Sequence, residues 1–110
     1  MRWFGRLRRA GEIAFVRRRG RQAALDTLSA YAAPAAGTPS RVGVTVSKAV
    51  GGAVVRNLVR RRIRGALDEL PPPASPLRLL FVAKPAAAAV PYGRLAADVA
   101  TAVGRVAPRP

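Results

Sequence analysis

Residues 41–70, RVGVTVSKAVGGAVVRNLVRRRIRGALDEL, change their hydrophobic period part-way along, and that switch constrains the fold more than any other feature of the chain. From Arg41 to Ser47, Val42, Val44 and Val46 alternate with Gly43, Thr45 and Ser47, giving the two-residue period and β-branched content of a strand. Lys48 to Gly52 interrupt the alternation with two glycines, a turn signal. From Ala53 the spacing becomes helical. At about 100° per residue, Val55, Leu58, Val59, Ile63, Ala66, Leu67 and Leu70 form a broad apolar arc. Asn57, Arg60, Arg61 and Arg64 gather opposite, and Arg56 sits on the border. Arg62 falls inside the arc, where its stem must pack while its head reaches water.

Arginines four apart, as at 56, 60 and 64, repel one another on an isolated helix. A solvated helix face normally mixes signs, and this one does not, so the pattern points to an anionic partner. The whole chain agrees: Lys and Arg number 20 against 5 Asp and Glu, a net charge of +15. Such an excess opposes compaction and favours a polyanion. A membrane surface competes for that role, but no stretch approaches the length of about 20 apolar residues that a spanning helix needs. The opening MRWFGRLRRAGE is charged and lacks the apolar core of a secretory signal. Its arginines are compatible with an organelle transit peptide, but Glu12 and the lack of a serine-rich run argue against one.

Cysteine and histidine are both absent, which removes disulfides, thiol nucleophiles, imidazole bases and Cys/His metal sites together. Asp68 and Glu69 are adjacent, so on a helix they point about 100° apart and make a poor catalytic pair. No phosphate-binding Walker loop or dinucleotide glycine fingerprint occurs. A nuclease needs metal-binding carboxylates or a general base. If this chain serves a nuclease, another molecule must hold the active site.

RVGVTVSK followed by GGAVVRNLVRRRIR resembles the signature of the bacterial ribonuclease P protein component, which has a strand RVGxxVSKK and then a helix GNAVxRNRxKRxxR. Arg56 and Asn57 match the first two positions of its RNR motif. Arg60, Arg61 and Arg64 match the basic positions that follow, and Lys48 matches the first lysine after the strand. Leu58 stands where that motif has its second arginine, Gly52 where it has asparagine, and Ala49 where it has the second lysine.

Residues 8–18 suggest a short helix ended by Gly20 as a C-cap. RLRRAGEIAFVRRRG, residues 6–20, fits the family's RLKKxxDFxxVFxxG without a gap and puts Ile13 and Arg17 at the two phenylalanine positions. The resemblance implies that these positions line a cleft for the single-stranded leader of precursor tRNA. An aromatic suits that task because any base stacks on it, and the planar guanidinium of Arg17 can also stack. Phe15 is out of register and reads as a packing residue. Residues 22–33 hold weak strand signals, part of which could be read as helix. The family implies two strands there, with Tyr31 facing the cleft. PAAGTPS, residues 34–40, is a loop, and the prolines of PPPASP, residues 71–76, stop the basic helix. LRLLFVAK, residues 77–84, reads as a buried strand, and Lys84-Pro85 resembles the family's basic-Pro strand ending near the cleft. Residues 86–90 form a small-residue connection. Pro91 begins a last helix to about Arg105, with Leu95, Val99, Ala102, Val103 and Val106 on one face.

Residues 1–110 therefore read as a single α+β domain of order αβββαβα, with about four strands in the sheet, helices packed on it, and fraying expected at 1–6 and 106–110. The unit 41–84 has the length of a parallel crossover. Chain physics favours a right-handed one, in about 98% of cases; the family implies a left-handed one. The resemblance implies a cytoplasmic accessory subunit of ribonuclease P. Arg56, Asn57, Arg60, Arg61 and Arg64 would bind the RNA subunit, and Ile13, Arg17, Tyr31, Lys48 and Lys84 would bind the precursor tRNA leader. The RNA, with Mg²⁺, would carry catalysis in tRNA 5′ maturation, so no catalytic or metal-binding residue is expected in the protein. The alternative is a structural RNA-binding protein such as a small ribosomal protein. A DNA-reading helix would want several Asn or Gln side chains, and Asn57 alone is thin support, so no DNA partner is expected, nor a membrane.

Overall fold

The computed structural model describes residues 2–35 and 37–108. Met1, Arg109 and Pro110, expected to fray, and Ala36, expected in a loop, lie outside the described residues. In chain order the elements are β1 (Phe4–Arg6), α1 (Ala10–Arg19), β2 (Arg21–Ala24), β3 (Leu28–Pro34), β4 (Ser40–Thr45), α2 (Ala53–Asp68), β5 (Leu77–Ala83), a short α3 (Ala86–Ala89) and α4 (Tyr92–Val106). The α+β class holds. The sheet has five strands in the order β1-β4-β5-β3-β2, not about four.

β4 and β5 run parallel and adjacent, with Val42 beside Leu79 and Val44 beside Phe81, so α2 is the crossover between them. β3 is antiparallel to β5 and to β2. β1, the added strand, pairs parallel to the outer edge of β4, Phe4 beside Ser40 and Arg6 beside Val42. The expected fraying of 1–6 is therefore corrected for Phe4 to Arg6. Phe4 is buried, and the strand pairing continues when the Leu7 amide donates to the Val42 carbonyl at 3.0 Å. Val106 is also fully buried as the last turn of α4, which corrects fraying there. Residues 86–90, expected as a plain connection, include the single turn of α3, whose Ala87 is buried.

Helices cover the two sheet faces unequally. α2 and α4 lie on the face formed by Leu28, Ala30, Ala32, Val42, Leu79 and Phe81. α2 buries Val59, Ile63, Ala66 and Leu67; α4 buries Leu95, Val99, Ala102 and Val106. Each such Val, Leu or Ile side chain contributes about 1.5–3 kcal/mol relative to exposure. The arc inferred for α2 is narrower in the fold. Val55, in its first turn, is 38% exposed because it precedes the part of the helix that crosses the sheet. On the other face, α1 sets Val16 against Leu7, Ala33 and Leu80. Among the described residues, no helix is long and apolar enough to cross a membrane.

Two glycines leave room for close approaches on this face, one under Leu7 and one at the end of α1. A Cβ on Gly43 would lie 3.2 Å from the Leu7 carbonyl oxygen and 3.4 Å from Leu80 Cδ1. Gly20 follows α1 in an extended conformation, φ −74°, and not in the left-handed geometry expected of a C-cap glycine. It is needed for space: a Cβ there would run into the Val16 carbonyl and lie 2.8 Å from that of Ala32. Gly20→Ala should therefore cost about 1–3 kcal/mol in urea unfolding, since backbone must shift. Gly104→Ala, on a helix surface with nothing near the new methyl, should stabilise by about 0.5–1 kcal/mol.

Candidate nucleic-acid interface

The helical stripe at positions 56, 60, 64 and 68 runs down one flank of α2, next to the residues that bury against the sheet. Arg56, Arg60 and Arg64 are half-buried along it, while Asn57 and Arg61 are exposed beyond them. Arg60 Nη1 donates to Asn57 Oδ1 at 2.9 Å, which holds that pair as one polar unit. The five side chains assigned from the sequence thus share one continuous face. Arg62 is half-buried on the opposite border, as its place in the apolar arc requires.

None of the protein's own acids neutralises this face. Glu12 pairs with Arg41 at 2.7 Å, Asp68 with Arg2 at 2.8 Å, and Asp26 and Asp98 with Arg94 at 3.1 and 3.8 Å. Glu69 accepts from the Tyr92 hydroxyl at 3.0 Å. Those are all five carboxylates of the chain. The Nε atoms of Arg56 and Arg64 are buried and find no hydrogen-bond acceptor in the protein. Burial pushes the Arg64 pKa down, and the neighbouring Arg6, Arg2 and Arg60 push it further the same way.

Arg2 and Arg6 were missed in the sequence because residues 4–6 are too short to show a period. In the fold this segment ties off the end of α2. Trp3 Nε1 donates to the carbonyls of Leu67 and Leu70 at 3.3 and 3.2 Å, two carbonyls at the helix's C-terminal end.

The second set of assigned residues lies on the α1 face. Ile13 and Tyr31 join the small cluster of Leu7, Val16, Ala33 and Leu80, and the Arg17 guanidinium sits 5.9 Å from the Tyr31 ring centre. Gln22 Nε2 donates to the Tyr31 hydroxyl at 3.3 Å. Half-buried Val82 and exposed Thr45 continue this strip of sheet beyond α1. Lys48 and Lys84 follow the parallel strands β4 and β5, so both sit at the same end of the sheet. Lys48 is exposed; Lys84 Nζ is tethered to the Leu25 carbonyl at 2.6 Å. Ile13 and Tyr31 therefore pack on one cluster with Arg17 over the tyrosine ring, and the lysines stand at one end of the same sheet. Phe15 stays apart: its ring is 46% exposed and lies 4.9 Å from the Arg78 guanidinium. Among the described residues, no three His, Cys, Asp or Glu side chains come together as a metal site would require.

A family profile described as Ribonuclease P matches residues 1–107, nearly the whole chain. The chain belongs to the ribonuclease P protein family. The ribonuclease P protein component of Pseudarthrobacter chlorophenolicus is 40% identical over 111 residues, covering 96% of this chain and 82% of that one. Its counterpart in Beutenbergia cavernae is 54% identical over 63 residues, 56% of this chain; that match spans about half, 53%, of the relative's length. The ribonuclease P protein of Staphylococcus aureus has the same fold, with a TM-score of 0.82 at 19% identity over 94% of this chain and 97% of that one.

The Arg2–Asp68 pair makes a pH-dependent prediction. The hydrogen bond from Arg2 holds the Asp68 carboxyl below its usual range, outweighing burial, which acts the other way. Its contribution to stability is present above the unfolded carboxylate pKa of about 3.9 and is lost as pH falls through the lower folded value. Arg2→Ala should raise the Asp68 midpoint, read by carboxyl ¹³C NMR titration.

Proposed function

We propose that this chain is the protein subunit of ribonuclease P, a cytoplasmic partner of the catalytic RNA in maturing the 5′ ends of tRNA. The observation that carries this reading is the α2 face, where Arg56, Arg60, Arg61 and Arg64 stand beside Asn57 with no carboxylate of their own. Guanidinium forks match pairs of phosphate oxygens, so this face suits the backbone of a folded RNA. The strip of Ile13, Arg17 and Tyr31, with Lys48 and Lys84 at the sheet end, suits the single-stranded leader of precursor tRNA: a ring and a guanidinium for bases, ammonium groups for phosphates.

The RNA subunit with its Mg²⁺ supplies hydrolysis of the phosphodiester bond. This chain's residues bind and position. Their positive charge offsets the repulsion between two RNAs, an effect that matters most when divalent cations are scarce.

Reconstitution with a bacterial ribonuclease P RNA at low Mg²⁺ tests the reading. The protein should restore 5′ processing, and rigorously RNA-free protein should cut nothing; the reverse of either result defeats the assignment. Charge reversal at Arg60 and Arg64 should weaken binding to the RNA subunit and flatten its log–log salt dependence by about 0.7–0.9 per lost contact. Tyr31→Ala should weaken binding of leader-bearing precursor by about 1–3 kcal/mol per unstacked base, with mature tRNA unaffected; equal losses on both substrates would remove Tyr31 from the leader site.

A further inference from the structure

β1 places a second arginine row against α2. Within β1 alternation puts Phe4 and Arg6 on one side of the strand, and burial of Phe4 among the residues that meet α2 fixes which side; Arg2, just before the strand, reaches α2 through Asp68. Gly5 faces the other way, its Cβ direction leading to Arg41. The two ends of this row meet α2 differently. Arg2 forms a two-pronged pair with Asp68, Nε to Oδ1 and Nη2 to Oδ2, both 2.8 Å. One helical turn earlier the stripe carries Arg64; because α2 crosses back from β4 to the parallel β5, it runs antiparallel to β1, and Arg6, further along β1 from the Arg2–Asp68 pair, is directed toward this earlier turn, where its charge also opposes that of Arg64. This N-terminal segment therefore joins an arginine to a carboxylate at one end and directs another arginine toward the arginine stripe at the other. The Arg64 Nε is buried there without an acceptor. Like charges brought together this way cost stability unless an anion lies between them.

We propose that β1 belongs to the RNA-binding surface and that Arg6 and Arg64 jointly hold one phosphodiester group of the bound RNA. Two planar forks approaching from a strand and a helix can engage different oxygens of one phosphate, and that geometry requires arginine on both sides. The Arg2–Asp68 pair and the Trp3 bonds to the Leu67 and Leu70 carbonyls clamp β1 to α2 next to the site, so Arg6 arrives pre-positioned. This inference rests on the reading of α2 as the RNA-binding helix and extends it to a residue outside the helix.

The test uses the full chain and a transcribed bacterial ribonuclease P RNA, with affinity measured across a salt series. Arg6→Ala should weaken binding about tenfold or more and lower the salt slope by about 0.7–0.9. Arg6→Lys should recover the slope but not the full affinity. Arg8→Ala, removing an equally exposed arginine nearby, should do less. Because Arg6 and Arg64 share one anion, the double variant should lose less than the product of the single losses. The melting temperature of RNA-free Arg6→Ala should be unchanged or higher, since repulsion is relieved; a fall would show a structural role and overturn the proposal. Arg6→Ala no weaker than Arg8→Ala, while Arg64→Ala binds poorly, would also overturn it and leave the α2 reading intact. Full affinity in both Arg60→Ala and Arg64→Ala would sink that underlying reading instead.

Discussion

Two opposed demands meet on α2, and the rest of the molecule is arranged around them. Val59, Ile63, Ala66 and Leu67 must leave water, while the arginines interleaved with them must keep access to it. A 16-residue helix can satisfy both only when laid across a sheet with one flank at the sheet's edge. The parallel pairing of β4 with β5 provides that seat, because the crossover between them returns the chain over the apolar face. β1 then closes the exposed edge of β4 and ties down the helix end through Trp3 and Arg2.

Charge shows how strictly the arrangement is kept. Twenty cations and five acids leave few carboxylates to place. They brace Arg41 on β4 from α1, Arg94 on α4, and Arg2 at the end of α2. None of these braces pairs with Arg56, Arg60 or Arg64, and the Arg2–Asp68 pair lies one turn beyond them. Asp68 and Glu69 look misplaced in the sequence, since acids at a helix C-terminus oppose the dipole. The fold resolves this, because one meets Arg2 and the other the Tyr92 hydroxyl. Internal pairing thus consumes the acids as structural ties, and the uncompensated charge is left for an external polyanion.

The opposite sheet face is built with less covering. The absent side chain of Gly20 lets α1 end against β3, that of Gly43 makes room for Leu7, and α1 shields Leu80 and Ala33. Its shortness leaves Tyr31, Val82 and Thr45 as an open strip, with Arg17 leaning over the tyrosine ring. This strip and the arginine stripe of α2 thus fall on opposite sides of one sheet.

Much of this was legible in the residues themselves. The switch from period two to period 3.6 near residue 53 specified strand, turn and helix, and placed Asn57, Arg60, Arg61 and Arg64 together, because neighbours along one helix are set by local geometry alone. The absence of histidine and cysteine was equally readable, since composition does not depend on folding. What the tertiary structure alone decided is what closes over long separations. A three-residue strand carries no readable period, so β1, its pairing with β4 and the bond from Arg2 to Asp68, 66 positions away, could not be foreseen. The same holds for Arg17 over Tyr31. Local pattern determines which side chains share a face of one element; only the packing of elements against each other determines which faces meet.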